Sequence, residues 1–256
     1  MTLDYEDAKK VAIEQGQFLL LYFTEDEWCE PCDFMERETW SSYEVQELQQ
    51  RFVSVRFEAD QLSRVADMLE VQALPTTIIL DAYGHNYMFF EGYLSKAEIV
   101  EKLSGFPADM REIYQAESVA LTNDSYRASL RLGDLYQRIS YEAGSSVAGR
   151  LLFYSDIAYR KSKRQLVGLT DAPLGLSQRL DLLLIENQLL RGNFERSLSR
   201  LQELQSYFVA ANQPLGNYLF TMAYRLAGDT EKAREHYQEL RAADNNQRWL
   251  ARLARW

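Results

Sequence analysis

Six apolar residues, Phe18-Leu19-Leu20-Leu21-Tyr22-Phe23, are followed closely by Trp28-Cys29-Glu30-Pro31-Cys32, which holds both cysteines of the 256-residue chain. A short, wholly apolar run reads as a strand buried on both faces. A Cys-x-x-Cys where such a strand passes into a helix is a dithiol/disulfide switch. The unpaired N–H groups of the helix start stabilise the first sulfur as thiolate, the form that attacks disulfides. Cys29 is therefore read as the nucleophile and Cys32 as the resolving thiol. Pro31 suits the first helical turn, where its missing N–H has no intrahelical partner to lose. Two blander chemistries compete. A zinc site needs four ligands, and only His85 and His236 stand elsewhere in the chain. A purely structural disulfide closing so short a loop removes little chain entropy.

Further along, Val71-Gln72-Ala73-Leu74-Pro75-Thr76-Thr77 places a proline directly before a short β-branched run. Proline cannot donate to a ladder, so it marks a strand edge or a tight bend. With Trp-Cys-x-x-Cys after a buried strand, and with Met35–Trp40 followed by Ser41–Val45, the first 105 residues resemble the thioredoxin superfamily. The resemblance implies an α/β thioredoxin-like fold, a helix that breaks and restarts after the cysteines, and a cis bond before Pro75 beside them. It also implies substrate-binding roles for Trp28, Leu74, Pro75 and Thr76. Packing over the site is an equally open role for Trp28.

The residues support that order of elements. Asp4 is placed to cap a helix over 5–15, and Phe52–Glu58 alternates Val53, Val55 and Phe57 with Ser54, Arg56 and Glu58. Residues 62–69 read as helix, Thr76–Leu80 as strand, and Asp81-Ala82-Tyr83-Gly84 as a turn into a strand over 85–91. Ser41 with Glu44, and Ser95 with Glu98, each present a capping box.

Two features depart from the family pattern. The strand entering the site lacks the buried acid that thioredoxins carry, which puts the family's proton route to the resolving cysteine in doubt. Glu25, Asp26, Glu27, Glu30, Asp33 and Glu36 also crowd the motif. They read either as a solvated loop and an anion-tolerant helix start, or as like charge that disfavours a thiolate and biases the pair away from strong oxidants.

The length favours two domains, with a joint at Phe106-Pro107-Ala108: a thioredoxin-like domain over 1–106 and an all-helical domain over 107–256. A chain ending near Gly105 is then expected to stand alone. Beyond the joint the amphipathic runs are 126–141, 147–160, 176–190, 194–209, 215–226, 230–240 and 247–256. Gly192-Asn193 and Gly228-Asp229 lie 36 residues apart, followed by small residues Ser197 and Ala233 and large ones Leu201 and Tyr237. This resembles a degenerate tetratricopeptide pair, whose usual spacing is about 34. Tyr237 and Leu240 are expected to face the core, leaving His236 on a solvated face.

Residues 1–110 hold 8 Lys/Arg against 22 Asp/Glu, a net of −14, and the remainder 20 against 16, a net of +4. An acidic chain without a basic face argues against nucleic acid as partner. No apolar run is long enough to span a bilayer. As written the chain reads as cytoplasmic, or as periplasmic or exported if a signal peptide has been removed. The resulting expectation is a thiol–disulfide oxidoreductase acting on protein disulfides, re-reduced by an unknown reductase, with no cofactor beyond the Cys29–Cys32 pair and no metal. Its helical domain would recognise a protein partner. The alternative is a non-catalytic adaptor or co-chaperone with a vestigial dithiol.

Overall fold

The computed structural model describes residues 4–58, 63–169, 172–244 and 247–254. The chain clusters into two compact units, one of residues 1–123 with 138–151 and the other of 124–137 with 152–256.

In the first unit, α1 (Tyr5–Gln15) leads to β1 (Phe18–Thr24), α2 (Glu30–Met35), a π-type turn (Glu36–Trp40) and α3 (Tyr43–Gln49). β2 (Phe52–Glu58), α4 (Ser63–Met68), β3 (Thr76–Leu80), β4 (Asn86–Glu91), α5 (Lys96–Ser104) and α6 (Arg111–Thr122) follow. The sheet order is β2-β1-β3-β4, with β1 parallel to β2 and antiparallel to β3, and β3 antiparallel to β4. The two central strands, β1 and β3, are buried at every position, including the polar Thr24, Thr76 and Thr77 at the ends of their apolar runs. The Asp4 cap and the Ser95/Glu98 capping box both form.

The restart of the broken helix differs from the expected Ser41/Glu44 box. Ser42 is the N-cap of α3 and makes no side-chain cap bond. The π-type turn leaves carbonyls at its end, and the two hydroxyls go there instead: Ser41 Oγ donates to Glu36 O at 2.6 Å and Ser42 Oγ to Thr39 O at 2.7 Å. Short hydroxyl side chains readily bond nearby backbone in this way.

Helix α6 lies outside the runs read from the sequence, yet it completes the first unit's core. Met110, Ile113 and Tyr114 are buried. The Tyr114 hydroxyl donates to Gln17 O at 2.8 Å and accepts from the Ala82 N–H at 3.3 Å. Met110 N–H donates to Gly16 O at 2.8 Å.

Between β3 and β4, the fully buried Asp81 accepts from the N–H groups of Tyr83 and His85 at 2.9 and 3.0 Å. Its Oδ2 lies 2.8 Å from His85 Nδ1, and Glu117 Oε1 of α6 lies 3.8 Å from the same nitrogen. Burial pulls the His85 pKa down, but the hydrogen bond and charge of Asp81, with the charge of Glu117, outweigh it and hold the value above 6.5. A folded-state value raised above the unfolded one means stabilisation that is complete below about pH 6.5 and lost as pH rises through the folded value. The thermal midpoint of the first unit is therefore expected to fall between about pH 6.5 and pH 8. His85→Gln should flatten that slope, measured by circular dichroism across the range. An unchanged slope in the variant would contradict the assignment.

The second unit draws on α7 (Tyr126–Ser140) and α8 (Ser145–Gln165), then α9 (Leu176–Leu190), α10 (Phe194–Gln205), α11 (Gln213–Leu226), α12 (Thr230–Ala243) and α13 (Arg248–Leu253). Helix α11 is buried continuously from Leu215 to Tyr224, so it is the central helix of this unit. The hairpins α9–α10 and α11–α12 close with the same bonds. Asn193 N–H donates to Gln188 O and Phe194 N–H to Gly192 O, and Asp229 N–H donates to Tyr224 O and Thr230 N–H to Gly228 O. The two glycines have φ of 82° and 77°, a region that side chains with a Cβ rarely adopt.

Ser197, Leu201 and Ala233 are buried as the repeat pattern requires, but Tyr237 is 39% exposed. The inward row of α12 runs through Ala233, His236 and Leu240, a three-then-four spacing that places His236 inside. Its ring stacks on Phe220 at 4.5 Å and on Tyr224 at 5.6 Å. The solvated role expected for His236 is thus corrected. Asn245, which stands where the tetratricopeptide pattern has its late proline, lies outside the described residues. Close to the centre, the buried Glu186 pairs with Arg252 Nε at 2.9 Å and accepts from Tyr218 Oη at 3.0 Å.

Candidate active site

The chain leaves β1 at Thr24 and enters α2 at Glu30, so the cysteines sit at the C-terminal end of a central strand. Cys29 is the N-cap of α2, with Pro31 in its first turn. Cys32 N–H points at Cys29 Sγ over 3.3 Å. Its Cα lies 5.2 Å from that of Cys29, and the two sulfurs form a disulfide. Cys29 is 7% exposed and Cys32 1%. An approaching group reaches the first sulfur before the second.

Thr76 pairs in register with Phe23, which brings the start of β3 to the sheet end that also carries the cysteines. The Leu74–Pro75 bond is cis. Pro75 and Thr76 are buried, and Leu74 is half-buried. Thr76 Oγ1 donates to Ala73 O at 2.7 Å, and Pro75 O accepts from Gly92 N–H at 2.7 Å, so both backbone and side chains anchor the loop. Trp28 is 73% exposed, which is not the environment of a core packing residue. Phe34 of α2 and Tyr93 form an exposed aromatic pair, with centroids 6.0 Å apart.

The carboxylates around the motif divide into two groups. Arg56 of β2 binds Glu36 at 3.2 Å and also pairs with Asp26 and Glu58. One guanidinium thus ties the loop before Cys29, the segment after α2 and the end of β2. Glu25 is turned inward on its own loop, accepting from the N–H groups of Asp26 and Glu27 at 3.0 and 3.2 Å. Glu27, Glu30 and Asp33 remain exposed at the helix start. Arg56 carried no site reading in the sequence, although a lone cation on a strand in so acidic a region was its available signal.

On the β1 face that carries Tyr22, the phenol packs edge-on against Trp40 at 5.1 Å. Burial raises its pKa above the ordinary tyrosine value, opposed by the nearby Thr24 hydroxyl and Trp40 indole. Neither neighbour closes a hydrogen bond of good geometry with it. A phenol held neutral in this way is no substitute for a carboxylate base.

Among the described residues, no group of three or more histidine, cysteine, aspartate and glutamate side chains is placed to hold a metal ion. No helix of the described residues is long and apolar enough to cross a membrane.

The sequence model of the thioredoxin-like domain family matches residues 5–106. Among curated proteins none matches the chain. Similar solved structures include a DsbH oxidoreductase, 20% identical, with a TM-score of 0.34 over 41% of this chain and 81% of that one. Another is chloroplastic thioredoxin z, 25% identical, with a TM-score of 0.28 over 37% of this chain and 83% of that one. The sheet order and the family match agree: residues 5–106 form a thioredoxin-like domain, and an all-helical region follows it.

Proposed function

We propose that this chain is a thiol–disulfide oxidoreductase that reduces protein disulfides through Cys29 and Cys32, with the helical region recognising a protein partner. The observation that carries the reading is the Cys29–Cys32 disulfide at the start of α2, with the Cys32 N–H aimed at Cys29 Sγ. Hydrogen bonding to the charged form favours that form, so the same N–H supports Cys29 as thiolate once the pair is reduced. The thiolate attacks one sulfur of a substrate disulfide. That bond breaks, the departing thiolate takes up a proton, and Cys29 is left in a mixed disulfide. Cys32 then attacks Cys29 Sγ, expelling the second substrate thiolate. Two electrons have passed to the substrate and the Cys29–Cys32 disulfide has re-formed, to be reduced by an external dithiol. Trp28 and the Leu74-Pro75-Thr76 loop would flank an extended substrate segment at this end of the sheet.

Turnover tests the proposal. With dithiothreitol as electron donor, the full chain should accelerate insulin reduction, followed as turbidity of the released B chain. A rate equal to that of dithiothreitol alone would reject the proposal and leave the adaptor reading.

A further inference from the structure

A cavity of about 380 Å³ lies within the second unit, bounded by the starts of α9 and α11, by Ala243 and Asp244 at the end of α12 and by Arg248 and Trp249 at the start of α13. Two guanidinium groups, Arg179 and Arg248, line it. Arg179 Nε is buried and has no hydrogen-bond partner among the described residues. Arg248 lies over the ring of Trp249 at 4.8 Å and pairs with no described carboxylate. The other polar groups of the wall are already engaged. Asn212 Nδ2 donates to Gly175 O and to Gln178 Oε1, both at 2.9 Å. Asp244 Oδ2 accepts from the N–H groups of Trp249 and Leu250 at 2.8 and 3.0 Å. Its charge is thus taken up in capping α13, which leaves a net positive lining among the described residues.

Desolvated guanidinium N–H groups without acceptors are costly, and a buried one in a native fold calls for an occupant. The planar fork of arginine matches an oxyanion. The start of α9 adds to the positive potential, because its N-cap Gly175 supplies no side-chain acceptor. The remaining wall is apolar, from Leu176, Leu215 and Trp249, with Leu174 89% exposed at the rim. The volume falls in the range of small-ligand sites, about 300–1,000 Å³.

We infer that this cavity binds a carboxylate carried on an apolar body, its oxygens on Arg179 and Arg248 and its hydrocarbon against Leu215 and Trp249. The site does not depend on the dithiol, so binding should be the same in Cys29→Ser.

Isothermal titration of the full chain at neutral pH and fixed ionic strength tests this with octanoate as probe. One site per chain is expected. Acetate, which lacks the apolar body, and octanol, which lacks the charge, should each bind at least about tenfold more weakly, as should octanoate to Arg179→Gln. Arg248→Gln, at a position that packs less deeply, gives the same reading should Arg179→Gln fail to fold. Octanol binding as tightly as octanoate, phosphate binding more tightly than octanoate, or affinity unchanged in both variants would overturn the assignment. A further arm separates two sources of the same chemistry. Acetyl-Ala-Leu-Leu with a free carboxyl binding more tightly than octanoate, while its amide does not bind, assigns a polypeptide terminus; the reverse order assigns a free acid.

Discussion

Cys29→Ser is expected to abolish disulfide exchange, leaving insulin reduction at the rate of dithiothreitol alone. Cys32→Ser should instead accumulate mixed disulfides with substrates. The asymmetry follows from position: Cys29 is the more exposed sulfur and receives the Cys32 N–H, whereas Cys32 is sealed beneath the start of α2. Without Cys29 no covalent intermediate forms. Without Cys32 the intermediate forms and only its resolution is lost. Non-reducing electrophoresis and intact mass of protein incubated with oxidised substrate read the difference directly. Equal trapping by the two variants would contradict the assigned roles.

The second large effect concerns α6. The family match ends at residue 106, but the packing of the first unit continues through Met110, Ile113 and Tyr114. Burial of side chains of this size is worth about 1.5–3 kcal/mol each. Together that is a large share of the about 5–15 kcal/mol that holds a typical domain folded. Removing α6 also strips partners from Gln17 O and the Ala82 N–H, at about 1–3 kcal/mol for each polar group left buried and unpaired. A chain ended after Phe106 is therefore expected to lose its cooperative thermal transition or to melt far below the full chain. A chain ended after Asn123 should keep more of that stability and more of the insulin-reducing activity. Equal midpoints for the two truncations would show that α6 is dispensable.

What the sequence disclosed and what it withheld follow a physical division. Features set by neighbours in the chain were legible. The apolar run of β1, the period-two alternation of β2, the Asp4 cap, the Ser95/Glu98 box and the two glycine turns 36 residues apart each carry their signal within a few positions. Helix α6 did not, because its buried face is built from Ile113, Tyr114, Ala116, Glu117 and Ala120, two of them alanines and one a carboxylate. It also lacks a side-chain cap at Met110. Its best signal, Tyr114, gains meaning only against Gln17 and the turn that follows Asp81, from 31 to 97 residues away. Arg56 was silent for the same reason, since Asp26 and Glu36 stand 30 and 20 residues from it. The His236 reading failed on a finer point. Tyr237 and His236 are adjacent on α12, and only the partner helix α11, with Phe220 and Tyr224, decides which of the two rings turns inward.

The matching hydrogen bonds of the two glycine turns bear on how neighbouring helices of this unit recognise one another. In a stack of like hairpins each unit offers the next the same apolar face. The contact made by α13, Arg248–Leu253, is of a different kind. It lays Trp249 against Tyr218 at 5.5 Å and sends Arg252 to the buried Glu186. A cation committed to an interior carboxylate cannot be removed without stranding that charge. Glu186 therefore acts as a key for one neighbour, because a helix that brought only apolar side chains to this point of α9 would leave a carboxylate buried and unpaired.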